Sequence, residues 1–264
     1  HSYENNYSKH KIADYPENKM AMLPIMVNAR SGVRMIFTEA DLEDYPALYM
    51  VKANDGTRNM KSIQPPYPLK EEIGGHNDFE MIVTERADYV AKTEGQRAFP
   101  WRVFIFSEED RNLLSNNMVY KLAKPAESDF SWVTPGKVAW DWWHAMHLDG
   151  VDFASGINTE SYKYYIDFAA ENGLEYINLD EGWSEQFDLL KVNPDVDIEE
   201  LVSYAKQKDV KIILWCIART LDAQLEEAME QFAEWGVHGL KVDFMDRDDQ
   251  KMVNFYYRIA KAAA

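Results

Sequence analysis

Residues 211–217 read Lys211-Ile-Ile-Leu-Trp-Cys-Ile217, a continuous apolar run of the kind a strand shows when both its faces are buried. Around it the chain repeats one rhythm, strand then helix. Val138 to Trp143 reads as a strand. Asn158-Thr159 caps a helix carrying Tyr162, Tyr165, Ile166 and Ala169 on one face, and Gly173 stops it. Tyr176 to Leu179 is the second strand, and Asp197 opens a helix with Ile198, Leu201, Val202 and Ala205 on one face. After the 211–217 strand, Asp222 starts a helix with Leu225, Ala228, Met229 and Phe232, ended by Gly236. Gly239 to Phe244 is the fourth strand, and Asp249 begins a last helix. Strands that start at 138, 176, 211 and 239 are separated by 38, 35 and 28 residues. An eight-fold barrel of about 250 residues uses roughly 31 per unit. An open doubly wound sheet would announce a Gly-rich phosphate turn after its first strand, and Trp140-Asp-Trp-Trp143 stands there instead. The expected fold is therefore α/β: the first four βα units of a (β/α)8 TIM barrel, filling residues 132–264. Half a barrel leaves open parallel edges, so the sequence is expected to be a fragment of a longer protein.

Residues 1–131 read differently. Short apolar or alternating runs at Met22 to Asn28, Val33 to Phe37, Leu48 to Ala53, Met81 to Thr84 and Arg102 to Phe106 are strands. Asn54-Asp-Gly-Thr57 is a turn signal, and Pro65-Pro66 and Gly74-Gly75 mark loops. Ser107 and Asp110 resemble a capping box ahead of one helix carrying Leu113, Leu114, Val119 and Leu122. This segment is expected to be the C-terminal portion of an N-terminal antiparallel β-sandwich domain whose first strands are missing.

Composition narrows the function classes. Of 264 residues 46% are hydrophobic and 28% charged, which places the chain among globular proteins. Forty-five Asp and Glu against 28 Lys and Arg give a net charge of −17, a surface that repels phosphate backbones and anionic lipid. The longest apolar run, Ile212 to Ala218, is far short of the roughly 20 residues a spanning helix needs, so neither nucleic acid nor membrane insertion is expected. No signal peptide is visible at His1-Ser-Tyr-Glu, although a chain beginning with His is not an intact translation product. The single Cys216 leaves no internal disulfide and reads as a small buried filler. Eight Trp, 15 Tyr and 12 Phe suit sugar faces and protein cores alike.

The chemistry is expected at strand ends, where barrels gather reactive groups. Alternation along the first strand would put Asp141 and Trp143 on one face and Trp140 and Trp142 on the other. Rings and a carboxylate at a rim suit a sugar; packing against helices is the other reading. The second strand ends Asn178-Leu-Asp-Glu-Gly-Trp183, whose adjacent carboxylates Asp180 and Glu181 can raise one another's pKa, as acid–base work requires, or simply decorate a solvated turn. On the fourth strand Lys241 and Asp243 sit at i, i+2 and share a face. A neighbouring ammonium keeps a carboxylate ionised, as a nucleophile must be, although a structural ion pair would look the same. Asp246, Asp248 and Asp249 read as helix-cap and first-turn charges. His144 and His147 are joined by no third ligand, so a zinc site is not indicated.

Four ordered segments together resemble glycoside hydrolase family 97: Ser131-Trp-Val-Thr-Pro-Gly-Lys137 leading into Trp140-Asp-Trp-Trp143, Asn178-Leu-Asp-Glu-Gly-Trp183, Gly239-Leu-Lys-Val-Asp-Phe244, and upstream Thr38-Glu-Ala-Asp-Leu-Glu-Asp-Tyr-Pro46. The resemblance implies a β-sandwich, a catalytic barrel and a C-terminal β-domain, with Ca2+ in the active site of a periplasmic or secreted bacterial enzyme. It implies an exo-acting retaining α-galactosidase in which Asp243 is the nucleophile. Asp141, Asp180 and Lys241 would bind sugar hydroxyls, and Trp140, Trp142, Trp143 and Trp183 would shape the pocket. Glu39 is the upstream residue it suggests for calcium; the general acid and the other calcium ligands would lie past Ala264. Two alternatives stand beside this reading: an inverting α-glucosidase with Glu181 as base, and a catalytically inactive carbohydrate-binding barrel.

Overall fold

The computed structural model describes residues 6–53, 55, 57, 59–126 and 128–264, with only the backbone at His144. The Asn54–Thr57 turn expected from sequence lies partly outside the described residues. The chain divides into two compact units, residues 1–71, 83–127 and 247–257 in the first, and residues 72–82, 128–246 and 258–264 in the second.

The first unit is built from small antiparallel sheets. Strands β1 (Ala21–Met22), β4 (Tyr49–Lys52) and β5 (Met60–Ile63) form one, in the order β1-β4-β5, and β2 (Ile25–Asn28), β3 (Arg34–Ala40) and β8 (Trp101–Ser107) form another. β6 (Pro68–Gly74) and β7 (Glu80–Arg86) make a hairpin whose tip, residues 72–82, belongs to the second unit. Leu23, Phe37 and Leu48 form a small buried cluster with Ile25, Met35 and Met50 packed against it. The single helix expected after Ser107 is two short ones, α1 (Asp110–Leu114) and α2 (Met118–Leu122). The capping box does not form, because Ser107 Oγ accepts from the backbone N–H of Glu109 (3.0 Å), closing a turn ahead of the helix instead.

The second unit carries the α/β rhythm. β9 (Val138–Trp140), α3 (Thr159–Glu171), β10 (Tyr176–Leu179), the hairpin β11 (Ser184–Glu185) and β12 (Asp188–Val192), α4 (Ile198–Gln207), β13 (Lys211–Ile217), α5 (Ala218–Ala223), α6 (Leu225–Trp235) and β14 (Gly239–Asp243) follow in order, and then α7 (Gln250–Ala263), of which residues 250–257 belong to the first unit. β9, β10, β13 and β14 form one parallel sheet in sequence order, each strand beside its successor. Caps set where the helices start. Asn158 Oδ1 accepts from Ser161 N–H (2.9 Å) and Asp197 Oδ1 from Glu200 N–H (2.9 Å). Asp249 caps α7, accepting from Met252 N–H (3.3 Å), whereas Asp246 and Asp248 lie ahead of that helix rather than in its first turn. The helix expected from Asp222 is broken at Gln224, whose side chain is drawn off to Asp188 Oδ1 and the backbone N–H of Leu189 on β12.

Strand alternation then sorts the side chains. Ile177 and Leu179 of β10, and Ile212, Leu214 and Cys216 of β13, join the main core with Tyr162, Ile166 and Ala169 of α3, Leu201 and Ala205 of α4, and Phe232 of α6. The opposite parity, Asn178, Trp215, Lys241 and Asp243, is left for the site. Replacing Asn158 by Ala removes the side-chain cap of α3 and should lower unfolding free energy by about 1 kcal/mol. A urea midpoint identical to the parent's would show that the cap contributes nothing.

Candidate active site

The C-terminal ends of the parallel strands bring together an ammonium and two carboxylates. Lys241 Nζ on β14 donates to Asp180 Oδ2 (3.0 Å), just past β10, and to Asp243 Oδ2 (3.3 Å), two residues along its own strand. The same ammonium lies 4.4 Å from the ring centroid of Trp140 on β9, in cation–π geometry, and Trp140 Nε1 donates to Asp180 Oδ2. Asn178 Nδ2 donates to that oxygen as well (3.3 Å), and Asp180 Oδ1 accepts from the backbone N–H of Glu181 (2.9 Å). Trp140, Asp180, Lys241 and Asp243 are therefore one connected group.

Asp243 is held on both oxygens. Oδ2 accepts from Trp215 Nε1 (3.1 Å) as well as from Lys241, and Oδ1 accepts from the backbone N–H of Phe244 (2.9 Å). Partial burial works to raise its pKa. The Trp215 and Phe244 donors and the Lys241 charge outweigh burial and hold the carboxyl below its ordinary value. An ionised, half-exposed carboxylate at a strand end is a competent nucleophile. Phe244, directly after it, has a left-handed backbone (φ 59°), a costly conformation for an aromatic residue that recurs where a site is held in one geometry. Asp246 adds a further acid, its pKa raised by burial and by the charges of Glu80 and Asp243.

Asp141 has a different place from the one alternation suggested. β9 stops at Trp140, and residues 141–144 turn as a 3-10 helix, so strand parity does not extend past Trp140. Asp141 is 1% exposed, with Oδ1 accepting from the backbone N–H of Asp180 (3.2 Å), while Trp143 is 75% exposed. The two do not share a face. Trp142 is also open to solvent, and Trp140 and Trp143 meet edge to face at 5.1 Å. The Tyr162 hydroxyl interacts electrostatically with Asp141, but neither that hydroxyl nor Asp141 Oδ2 has a partner in hydrogen-bonding geometry. Burial, then the charge of Asp180, pushes the Asp141 carboxyl up to about 6.

Trp183 is corrected outright as a pocket wall. It is 1% exposed, its Nε1 donates to the backbone carbonyl of Trp215 (2.8 Å), and its ring packs edge-on against Phe232 and Trp235. It supports the strand from the core side. Gly182 makes the division possible: at φ 113° it turns the chain between a half-exposed Glu181 and a buried Trp183, and a Cβ there would lie 2.4 Å from Ile157 Cδ1. Glu181 Oε1 accepts from Gln186 Nε2 (2.6 Å) on the β11–β12 hairpin, apart from the Lys241 group.

Glu39, the one residue of this chain that the resemblance suggests for calcium, has no free oxygen here. Both oxygens of Glu39 are engaged, Oε1 by the backbone N–H of Leu48 (3.0 Å) and Oε2 by Arg102 (2.7 Å), and its carboxyl is pushed up by burial despite those partners. Among the described residues no group of three or more His, Cys, Asp or Glu could hold a metal ion. Cys216 is buried with its thiol pKa raised by that burial, as a filler would be. Sequence reasoning missed Trp215 and Asn178. Asn178 carried a signal, standing at i, i+2 to Asp180, whereas Trp215 is brought to the site by its register pairing with Lys241, which spacing alone does not show.

Parallel βα units that gather an ammonium and carboxylates at their strand ends define an α/β protein with a polar strand-end site. The chain belongs to glycoside hydrolase family 97: the glycoside hydrolase 97 model matches residues 142–264 and the glycosyl-hydrolase 97 N-terminal model residues 1–125. It is 46% identical over its whole length to the retaining alpha-galactosidase of Bacteroides thetaiotaomicron, of which it spans 40%. It is 32% identical over 65% of its length to a probable retaining alpha-galactosidase of Streptomyces bingchenggensis, spanning 27% of that protein. A family 97 enzyme from Pseudoalteromonas sp. strain K8, solved with acarbose, shares its fold with TM-score 0.73 at 24% identity, over 92% of this chain and 39% of that one.

The buried Asp141 gives a pH signature. The folded protein keeps its proton to about pH 6, whereas the unfolded chain releases it near 3.8, so stability falls as pH rises through that window. Asp141→Asn should flatten that fall. Denaturant midpoints measured from pH 4 to 7 check it, and parallel curves for parent and variant would refute the burial assigned to Asp141.

Proposed function

We propose that the protein is an exo-acting retaining α-galactosidase, or a close relative acting on an α-linked sugar, with Asp243 as its nucleophile. The observation that carries this is the doubly held Asp243 carboxylate, kept ionised at a strand end by Lys241, Trp215 and the Phe244 N–H. The name carried by the 46% identical relative supports it. In the first step Asp243 attacks the anomeric carbon and a bond to the carboxylate forms. The bond to the leaving oxygen breaks as a general acid outside this chain protonates it. Water, deprotonated by the same group, then displaces Asp243, and the configuration is retained. Lys241 and Asp180 are placed to hold sugar hydroxyls, and Trp140 and the exposed rings of Trp142 and Trp143 to meet its C–H faces.

The fold belongs to the same proposal. The four parallel strands keep sequence order, without the switch point of a doubly wound sheet, which supports residues 132–264 as the first half of a (β/α)8 barrel. The small antiparallel sheets support residues 1–131 as part of a sandwich. The calcium ion implied by the resemblance enters only as a group held by residues outside this chain, and no step above uses it. Periplasmic or secreted residence is carried over from the resemblance in the same way. No described helix is long and apolar enough to cross a membrane.

In the full-length protein, Asp243→Ala should lower turnover of an aryl α-galactoside by roughly four decades or more. Azide should restore part of it and yield a glycosyl azide of inverted configuration. Near-normal turnover by Asp243→Ala, with turnover abolished by Glu181→Ala and an inverted product by proton NMR, would instead establish the inverting reading.

A further inference from the structure

The hairpin between β6 and β7 places one ring against both donors that hold Asp243. Phe79, at the end of the His76–Asp78 turn, is 1% exposed and forms a small buried cluster with Trp215 and Ile217, against which Phe244 packs. Its ring meets that of Phe244 edge-on, centroids 4.9 Å apart, and that of Trp215 at 6.4 Å. Trp215 and Phe244 in turn meet each other edge-on at 6.2 Å. These two neighbours of Phe79 are the residues whose N–H groups reach the two different oxygens of Asp243, Trp215 Nε1 to Oδ2 and Phe244 N to Oδ1. The tip is itself fixed: Arg219 Nε donates to the Asp78 carbonyl (2.7 Å), and the His76 ring stacks on that of Phe244 at 6.0 Å.

We propose that Phe79 is a positioning residue for Asp243, its ring holding both N–H donors on the carboxylate from a hairpin more than 130 residues upstream of either. The Trp215 indole can rotate about its side-chain torsions, and the Phe244 backbone sits in a conformation its own side chain disfavours. Neither donor is fixed by its own strand alone. An aromatic edge packed against both removes those freedoms together, which is how preorganised hydrogen bonds are made. The groups that set the charge around Asp243 are Lys241 beside it, Asp180 across from that ammonium, Asp246 beyond the strand end, and Glu80 on β7 facing Asp246. Phe79 adds no charge to this set and acts only through geometry. The inference rests on the nucleophile reading of Asp243, and its first readout needs no substrate.

The test follows the Trp215 indole N–H by 1H–15N NMR in the full-length protein, assigned by its loss in Trp215→Phe. The resonance should titrate with Asp243, and Asp243→Asn should abolish that movement. In Phe79→Ala the carboxylate loses well-aligned donors, so the midpoint should rise by about half a pH unit or more. The acid limb of kcat/KM for an aryl α-galactoside should move up equally, with KM little changed. Phe79→Leu, which keeps apolar bulk and the fold, should shift in the same direction by less. Leu201→Ala, at an equally buried core position in α4, should destabilise the protein without moving the midpoint. Unchanged midpoints in both Phe79 variants would overturn the proposal. A shifted midpoint in a protein that turns over no galactoside would uphold the positioning role while refuting the activity.

Discussion

A single ammonium organises the strand ends. Asp180 and Asp243 come from β10 and β14, on either side of β13, and each accepts from Lys241 Nζ through its Oδ2. Two carboxylates converging on one small volume would otherwise repel each other. With the cation between them, both can remain acceptors. The register of the sheet puts Lys241 opposite Trp215, so the strand that supplies the cation also lies beside the indole that donates to Asp243. The Trp140 face above the ammonium extends the same arrangement to β9.

That arrangement relies on a strict division of labour within each strand. Side chains of one parity build the helix-facing core and those of the other parity build the site. The core is dense, with Leu179, Leu214, Cys216 and Leu201 fully enclosed. Trp183 shows how the two sides communicate. From the core it donates to the Trp215 carbonyl, fixing the backbone from which the Trp215 indole reaches Asp243 on the opposite face. Packing behind the sheet thus carries directly into hydrogen bonding in front of it.

Much of this was readable in one dimension. The strand–helix period, the caps at Asn158 and Asp197, and the Lys-x-Asp spacing on β14 are local signals, and local signals survive folding. What was illegible depended on events at element ends or on distant pairing. The end of β9 at Trp140 cancelled the alternation assumed for Asp141 and Trp143, because parity is meaningful only while the backbone stays extended. Ser107 was free to bond Glu109 rather than a helix, a competition that spacing alone does not resolve. Trp215 hid inside an apolar run that reads as core on both sides, and Glu39 carries no mark of the Arg102 that occupies it. Phe79 could be linked to Trp215 only in three dimensions.

Gly182 has a consequence for how this surface could change over time. The reversal there sends its two flanking residues to different fates, Glu181 half-exposed and Trp183 in the interior. Any side chain at 182 would face both a disfavoured φ of 113° and the Ile157 methyl that already fills the space. The end of the Ile157 side chain could move aside, but the backbone strain would stay, so the conformation of the loop rather than its packing holds glycine there. Every replacement at 182 carries that strain, so drift in the loop is steered to the positions around it.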